Sequence, residues 1–287
     1  MSKQPGYQNS GYKFFDAGFI GLGKLSKGRM SEWPEEERKV TYEAFKKGFE
    51  NLQDEVADAK QNGKQAFIKE HTLFLLGPDK WFSTFYQDDT LEPLQLHDRE
   101  NPRSPHTNPT NLPDSFLLSM QPIFQIRHPA LMFPSMLRVQ SKSFEGRNIN
   151  EPSLYSTFTL SPSRMLFDWY LINASHWKPK VIDADDIMDD PNVVRQLCIE
   201  TQLDPDAVQY EWEERHEENP IFARFLSTIN ASKGVVKGLD SRTLDLAAEK
   251  AKWMQEFGNE DGEKMAQFVD DAMPDYEYML SQRVRAA

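Results

Sequence analysis

The sequence has one cysteine, no long apolar run and no basic stretch, and each shortage excludes a class of protein. Cys198 has no partner for an internal disulfide, which fits a reducing compartment. It follows Val194 and Leu197 at helical spacing, so we expect a buried filler rather than a reactive thiol. No apolar run approaches the ~18 residues that would span a membrane, and residues 1–15 have no apolar core of a secretion signal. We therefore expect a cytoplasmic protein.

The charge balance points away from polyanionic partners. The net charge is −12 at pH 7, and a protein that holds nucleic acid needs a basic stripe to displace counterions. Anionic lipid surfaces are disfavoured for the same reason. The acidic residues concentrate in 183–190, 211–218 and the C-terminal part, where we interpret them as solvated helix faces and loops. The expected partner is a small apolar metabolite, with no nucleic acid and no membrane, and a homodimer is kept as an open alternative.

Length and composition predict one globular domain over residues 1–287. The chain is 39 % apolar and 27 % charged, which is ordinary for a folded domain, and its length suits one core with a helical cap. Strand-like segments alternate with helical patterns in the middle of the chain. This alternation predicts an α/β fold with a parallel sheet flanked by helices. The predicted strands are 65–71, 123–126 and 180–183.

The remainder of the chain is predicted to be helix or loop. Residues 88–113 are rich in Pro, Asn, Thr and Asp, which predicts a long surface loop or lid. Residues 204–287 form a predicted helical C-terminal part, in which a glycine-bearing loop at 231–238 joins two long helices. Pro134 demands a kink or a break in its helix. The other predicted helices are 34–62, 129–139, 153–177 and 190–198.

The polar residues best placed for chemistry follow predicted strands, because open parallel sheets bind ligands beyond their carboxyl edge. Lys69 and His71 alternate to one side of an extended segment and can face one cleft. His71 can act as a general base near neutral pH, and the cation of Lys69 should favour its neutral form. The alternative is a histidine that only binds a loop.

A second polar pair follows the strand at 123–126. Arg127 ends that strand, and Ser135 lies eight residues further on, beyond the start of a helix. A guanidinium and a hydroxyl near a helix N-terminus suit a phosphate clamp. The alternative is an arginine paired with one of the many carboxylates.

Two further segments are candidates for ligand binding on the basis of their residues. Residues 18–24 have the spacing GxxxxGK, but no Ser or Thr follows and no clear strand precedes, so we interpret them as a flexible turn. Trp81, Phe85 and Tyr86 belong to an aromatic group directly after the segment of His71. Aromatic residues at such spacing are mostly core, and the alternative is the lining of an apolar cleft.

The pattern Lys69-x-His71, followed about fifty residues later by Arg127-x-Pro129 and Ser135, resembles that of the cytosolic sulfotransferases. The phrases FIKEH, FQIRHPALMFPSMLR and VIDADDIMDDPNVVRQLC are similar to a fungal branch often found among secondary-metabolism genes. The resemblance implies a three-layer sandwich with a mostly parallel sheet. It also implies that His71 is the base, that Lys69 orients the acceptor, and that Arg127 and Ser135 hold the 3′-phosphate of 3′-phosphoadenosine-5′-phosphosulfate (PAPS).

Two departures from that family shape the functional hypothesis. The family opens with a strand and a P-loop, which we expect this chain to lack, and Lys233-Gly234 matches only part of a second phosphate-binding element. The strand before His71 should neighbour the strand before Arg127. We expect no metal, no cofactor and no tight nucleotide binding. The catalytic residues should be His71 and Lys69, and the substrate-binding residues Arg127, Ser135, Trp81, Phe85, Tyr86 and Lys233.

The preferred hypothesis is a cofactor-independent cyclase, including a pericyclase of the Diels–Alder type, that acts on an apolar polyketide or terpenoid intermediate. Such reactions need a preorganised shape and a few hydrogen-bonding groups. One alternative is a PAPS-dependent sulfotransferase with His71 as its base. The other alternative is a non-catalytic binding protein on the same scaffold.

Overall fold

A computed structural model describes residues 4–143, 149–214, 216–218 and 220–286 of the chain. Four short strands form two parallel pairs within these residues. β1 pairs with β2, with Asn9 opposite Phe67, and β3 pairs with β4, with Ile126 opposite Asp183. The strands are β1 (Tyr7–Asn9), β2 (Gln65–Phe67), β3 (Ile123–Ile126) and β4 (Lys180–Asp183).

Helices make up most of the remaining regular structure. In chain order they are α1 (Phe15–Leu25), α2 (Glu35–Gln61), α3 (Thr72–Leu75), α4 (Pro78–Ser83), α5 (Asp114–Leu118), α6 (Pro129–Ser143), α7 (Pro152–Tyr155), α8 (Ser161–Asn173), α9 (Ala184–Asp189), α10 (Pro191–Glu200), α11 (Pro220–Phe225), α12 (Ser227–Asn230), α13 (Leu246–Phe257) and α14 (Asn259–Ser281). No helix among the described residues combines the length and apolarity that a bilayer crossing requires.

The predicted parallel orientation of the strands is confirmed, but the length of one strand and its pairing partner differ from the prediction. β3 and β4 have the predicted bounds, and both pairs are parallel. β2 stops at Phe67, so residues 68–71 continue without a ladder, and β1 was not anticipated. The partner of β2 is β1, not β3, so the predicted neighbours are wrong. The fold is mixed α/β, and the three-layer sandwich stays a prediction.

The long helix α2 is confirmed, and two other helix predictions need correction. α6 is continuous through Pro134, so the helix does not break there, and a kink at this residue stays a prediction. The predicted helix at 153–177 is two helices, α7 and α8, because Pro162 suits only the first turn of a new helix. The two long C-terminal helices, α13 and α14, meet at Gly258, whose φ of 90° suits glycine, while residues 231–238 precede α13.

The chain forms two compact units, each with its own apolar core. The N-terminal unit runs to Pro122 and includes Ser161–Pro179; α1 packs on α2 there, around Phe14 and Phe45. Its residues 88–113 contain no helix or strand but are anchored, since Lys80 Nζ donates to the carbonyls of Asn108 and Thr110. Burial keeps this segment fixed to the unit.

The C-terminal unit contains Ile123–Leu160 and the chain from Lys180 onward. Its larger core lies between α6, α13 and α14, and includes Phe133 and Trp253, both almost fully buried. A smaller core packs α10 on β4 around Ile182 and Leu197. Cys198 is fully buried, as predicted.

Candidate functional site

His71 lies at the junction between the segment after β2 and the short helix α3. Its backbone is extended, with φ −89° and ψ 121°, and it directly precedes Thr72. Both Lys69 and His71 are exposed at this junction. The Thr72 hydroxyl and the Ser163 hydroxyl of α8 share a 2.7 Å hydrogen bond, which fixes the start of α3. The two predicted catalytic residues therefore lie two positions apart in one exposed segment that leads into α3.

Aromatic rings surround the imidazole of His71. The Tyr12 ring stacks on it with the centroids 4.8 Å apart and the planes 7° from parallel. Phe74 meets it edge-on at 5.4 Å, and Phe15 lies tilted at 6.2 Å. Phe19 extends the group, with its centroid 4.6 Å from that of Phe15. We call Tyr12, Phe15, Phe19, His71 and Phe74 the aromatic cluster.

His71 keeps part of its surface exposed, yet the packing around its ring still affects its pKa. Desolvation by burial lowers the pKa of the imidazole from its ordinary value of 6.5, because an apolar environment disfavours the charged form. The direction agrees with the prediction, but burial, not Lys69, is the cause. A neutral imidazole has one nitrogen that donates and one that accepts a hydrogen bond. His71 is thus suited to accept a proton near neutral pH.

Helix α1 allows the aromatic cluster to close because it carries glycines where rings approach. A Cβ on Gly18 would lie 2.3 Å from Cγ of Phe74, and a Cβ on Gly21 would lie 3.0 Å from Cζ3 of Trp81. The GxxxxGK segment is therefore a packed helix, and its interpretation as a flexible turn is wrong. Lys24 donates to the Thr41 hydroxyl at 3.1 Å and to the Glu37 carbonyl at 3.2 Å, so its ammonium is already engaged.

The aromatic residues predicted to bind substrate are buried or half-buried and do not belong to the aromatic cluster. Trp81 is 1 % exposed and its ring centroid lies 6.0 Å from that of Phe74. Tyr86 donates its hydroxyl to the Leu25 carbonyl at 2.8 Å, and Phe85 is half-buried. Their role toward a substrate stays a prediction. Tyr12 and Phe74 are the rings that contact His71, and the aromatic run around residue 12 was the available signal for them.

Glu70 is the titratable residue that the sequence analysis passed over. Its Oε1 accepts hydrogen bonds from the backbone N–H groups of Lys13 and Phe14, the latter at 3.3 Å. Its Oε2 is buried and has no hydrogen-bond partner among the described residues. Burial raises the pKa of the carboxyl to about 7. Its position between Lys69 and His71 was the only signal in the sequence.

The predicted phosphate-binding residues belong to the C-terminal unit. Arg127 is half-buried two residues before the start of α6, and its Nε is buried without a hydrogen-bond partner in the described part of the chain. Ser135 is exposed on α6. An unpartnered guanidinium N–H before a 15-residue helix fits an anionic ligand. Lys233 is exposed, 3.6 Å from Glu214, and its proposed role is untested.

A buried polar network joins the ends of β3 and β4 to α14. Tyr276 donates its hydroxyl to Asp183 Oδ2 at 3.1 Å, and the His128 ring lies edge-on to Tyr276 at 5.0 Å. His128 Nδ1 accepts from the Ala130 N–H at 3.2 Å. Burial raises the pKa of Asp183 to about 6. Within the described ranges, no cluster of side chains that could hold a metal ion is found.

Comparison with known proteins supplies the family. The sulfotransferase ppzF of Metarhizium rileyi (strain RCEF 4871) is 31 % identical over 311 aligned residues, which cover 100 % of this chain and 91 % of that protein. The sulfotransferase ppzF of Metarhizium majus (strain ARSEF 297) is 30 % identical over 316 aligned residues, with the same coverage. No protein-family model matches the chain, and no solved structure matches it significantly. Identity at this level along the whole chain shows that the protein belongs to the fungal sulfotransferase family represented by ppzF.

Proposed function

We propose that the protein is an enzyme of fungal secondary metabolism in which neutral His71 acts as general base toward a hydroxyl of an apolar metabolite. The observation that carries the proposal is the imidazole stacked on Tyr12 within the aromatic cluster. Desolvation by burial lowers the pKa of His71, which favours the proton-accepting form of the imidazole. Exposed aromatic surface beside it suits the apolar body of the substrate.

Sulfuryl transfer is the reaction we favour. The two relatives carry the name sulfotransferase, and the relationship extends over the whole chain. A sulfate-bearing nucleotide, when bound, supplies the sulfuryl group. Arg127, whose Nε has no hydrogen-bond partner in the part of the chain that the structure describes, is the proposed contact to an anionic group of such a nucleotide, and Ser135, exposed on α6, is proposed as a second contact. His71 holds the proton of the acceptor hydroxyl, and the exposed ammonium of Lys69 favours negative charge near that oxygen.

A cofactor-independent cyclisation is the second candidate. It is favoured by helix α1, whose glycines pack against rings and whose Lys24 is engaged, so that this segment offers no phosphate cradle. Closing a ring in a polyketide or terpenoid intermediate, by a pericyclic step of the Diels–Alder type included, needs a shaped apolar surface and groups that both donate and accept hydrogen bonds. The aromatic cluster and neutral His71 provide those features.

Nucleotide binding separates the two candidates. For a sulfotransferase we expect PAPS, measured by calorimetry, to bind at micromolar concentration and to raise the melting temperature. Arg127→Ala should weaken that binding because it removes a charge-assisted contact. Absence of binding at millimolar nucleotide would reject sulfuryl transfer and favour the cyclase.

Replacement of His71 tests its catalytic role, which both candidate reactions share. We expect His71→Ala to lower turnover by about 10²–10⁴-fold, the usual contribution of general acid–base catalysis. His71→Gln, which keeps a hydrogen-bonding group but accepts no proton, should be equally impaired. His176→Ala, at an exposed histidine outside the aromatic cluster, is the matched control and should turn over normally. A variant at His71 that melts like the parent and keeps full turnover would contradict the proposed role of His71 as general base.

A further inference from the structure

Glu70 holds the start of helix α1 through the peptide backbone. Its Oε1 accepts from the N–H groups of both Lys13 and Phe14, and Phe14 is the residue that precedes the first turn of α1. Two donors on one carboxylate oxygen restrain both peptide groups. The connection runs from the segment of His71 to a segment more than fifty residues earlier in the chain.

The restrained segment carries the ring that covers His71. Tyr12 directly precedes Lys13, and its ring lies 4.8 Å from the imidazole. Tyr12 is itself 45 % exposed, so contacts on its own side chain cover it only in part. The backbone bonds to Glu70 therefore provide a restraint that the stacking alone does not.

We propose that Glu70 is a positioning residue for His71, because it fixes the peptide groups of Lys13 and Phe14 and thereby holds the Tyr12 ring against the imidazole. The inference rests on the proposed role of His71 as base. It assigns Glu70 no contact with the reacting atoms. Without that anchor the ring leaves, the imidazole becomes hydrated, and its pKa rises toward the ordinary value.

The charged and titratable groups around Glu70 are few. Lys13 and Tyr12 lie on the anchored segment, Lys69 and His71 flank Glu70, and Glu55 of α2 binds Lys13 Nζ at 2.9 Å. The burial of Glu70 raises the pKa of its carboxyl, while the two backbone donors and the charge of Lys13 oppose that rise. Burial and the Glu70 charge together raise the pKa of the Tyr12 hydroxyl.

The test reads the state of His71 without requiring turnover. The pKa of its imidazole is measured by NMR in the full-length protein, with the resonance assigned by its loss in His71→Ala, and the rate of its modification by diethyl pyrocarbonate is measured alongside. Glu70→Ala should raise the His71 pKa and increase the modification rate severalfold. Tyr12→Ala should reproduce both effects, and the double variant should add nothing further.

Two variants separate positioning from a general loss of structure. Glu70→Gln keeps a carbonyl oxygen for the two N–H groups, so the His71 pKa should return close to the parent value. Glu55→Gln loses the contact with the Lys13 ammonium but leaves the backbone donors untouched, so it should not move the His71 pKa.

The proposal is overturned if Glu70→Ala folds and leaves both readouts unchanged, or if Glu55→Gln shifts them as much. Should Glu70→Ala fail to fold, Tyr12→Ala decides: an unchanged His71 pKa in that variant overturns the proposal as well. A normal turnover of His71→Ala would reject the proposed function alone, since the NMR readout does not depend on activity.

Discussion

At the scale of single residues, Glu70 links stability to pH. Its carboxyl has a pKa of about 7 in the folded protein, above the ordinary value of 4.5. The folded state therefore binds the proton more tightly than the unfolded state. The contribution to stability is complete below pH 4.5 and is lost as the pH rises through 7. Above that pH the folded protein must hold a half-buried carboxylate, one oxygen of which has no hydrogen-bond partner among the residues that the structure describes.

Glu70→Gln should remove this penalty. We expect the variant to be more stable than the parent at pH 8, by up to about 3 kcal/mol, since one pKa unit corresponds to about 1.4 kcal/mol and half-burial reduces the full value. Near pH 4 the two proteins should have similar free energies of unfolding. Urea unfolding at both pH values gives the comparison. A stability difference that is the same at pH 4 and pH 8 would show that the Glu70 charge is not its cause.

At the scale of elements, α1 is a helix whose glycines have unequal surroundings. A Cβ on Gly18 would meet the Phe74 ring at 2.3 Å, whereas a Cβ on Gly23 would meet nothing within 4 Å. Glycine costs a helix about 0.5–1 kcal/mol relative to alanine. Glycine is nevertheless required at position 18, because the Phe74 ring occupies the space that a Cβ would need.

Alanine at these two positions should therefore act in opposite directions. Gly18→Ala should destabilise the protein by about 1–3 kcal/mol, because it forces Phe74 out of its rotamer, and should also alter the His71 resonance. Gly23→Ala should stabilise by about 0.5–1 kcal/mol with no change at His71. Thermal melting and the histidine NMR spectrum measure both. Equal effects of the two substitutions would mean that Phe74 does not pack on α1 as described.

The ends of the helices and strands show which of them local sequence signals can predict. The bounds of α2 follow from Pro34 before it and Gly63 after it, whose φ is 64°. The strand before His71 is shorter than its apolar run suggests, because only Gln65–Phe67 finds a partner strand. A strand needs a ladder, and the partner β1 was not evident from its own three residues.

At the scale of the whole molecule, the excess of acidic groups should keep polyanions away. The net charge of −12 comes with no basic stretch. We expect the protein neither to retard duplex DNA in electrophoresis at low salt nor to sediment with vesicles of anionic lipid, since both need clustered cations. A matched run with neutral vesicles controls for apolar adsorption. Retardation of DNA that weakens with added salt would contradict this expectation.

The family and the candidate site residues could be predicted from the sequence. The spatial arrangement of those residues could not. Lys69, His71, Arg127 and Ser135 were identified as candidates from their positions after predicted strands and from the resemblance to the cytosolic sulfotransferases. The structure places the first two in the N-terminal unit and the last two in the C-terminal unit. Glu70 and Tyr12 were missed, because their importance comes from contacts with residues distant in the chain.

The sequence by itself determined the features that depend on local residue patterns and on overall composition and charge. Proline, glycine and apolar spacing set the long helix α2 and the strands β3 and β4. The class of partner that composition and charge indicate stays a prediction. Only the tertiary structure decided the pairing of β1 with β2, the contact of Gly18 with Phe74 and the pKa of Glu70. Each of these depends on burial or on a partner distant in sequence, and local patterns contain no information on such contacts.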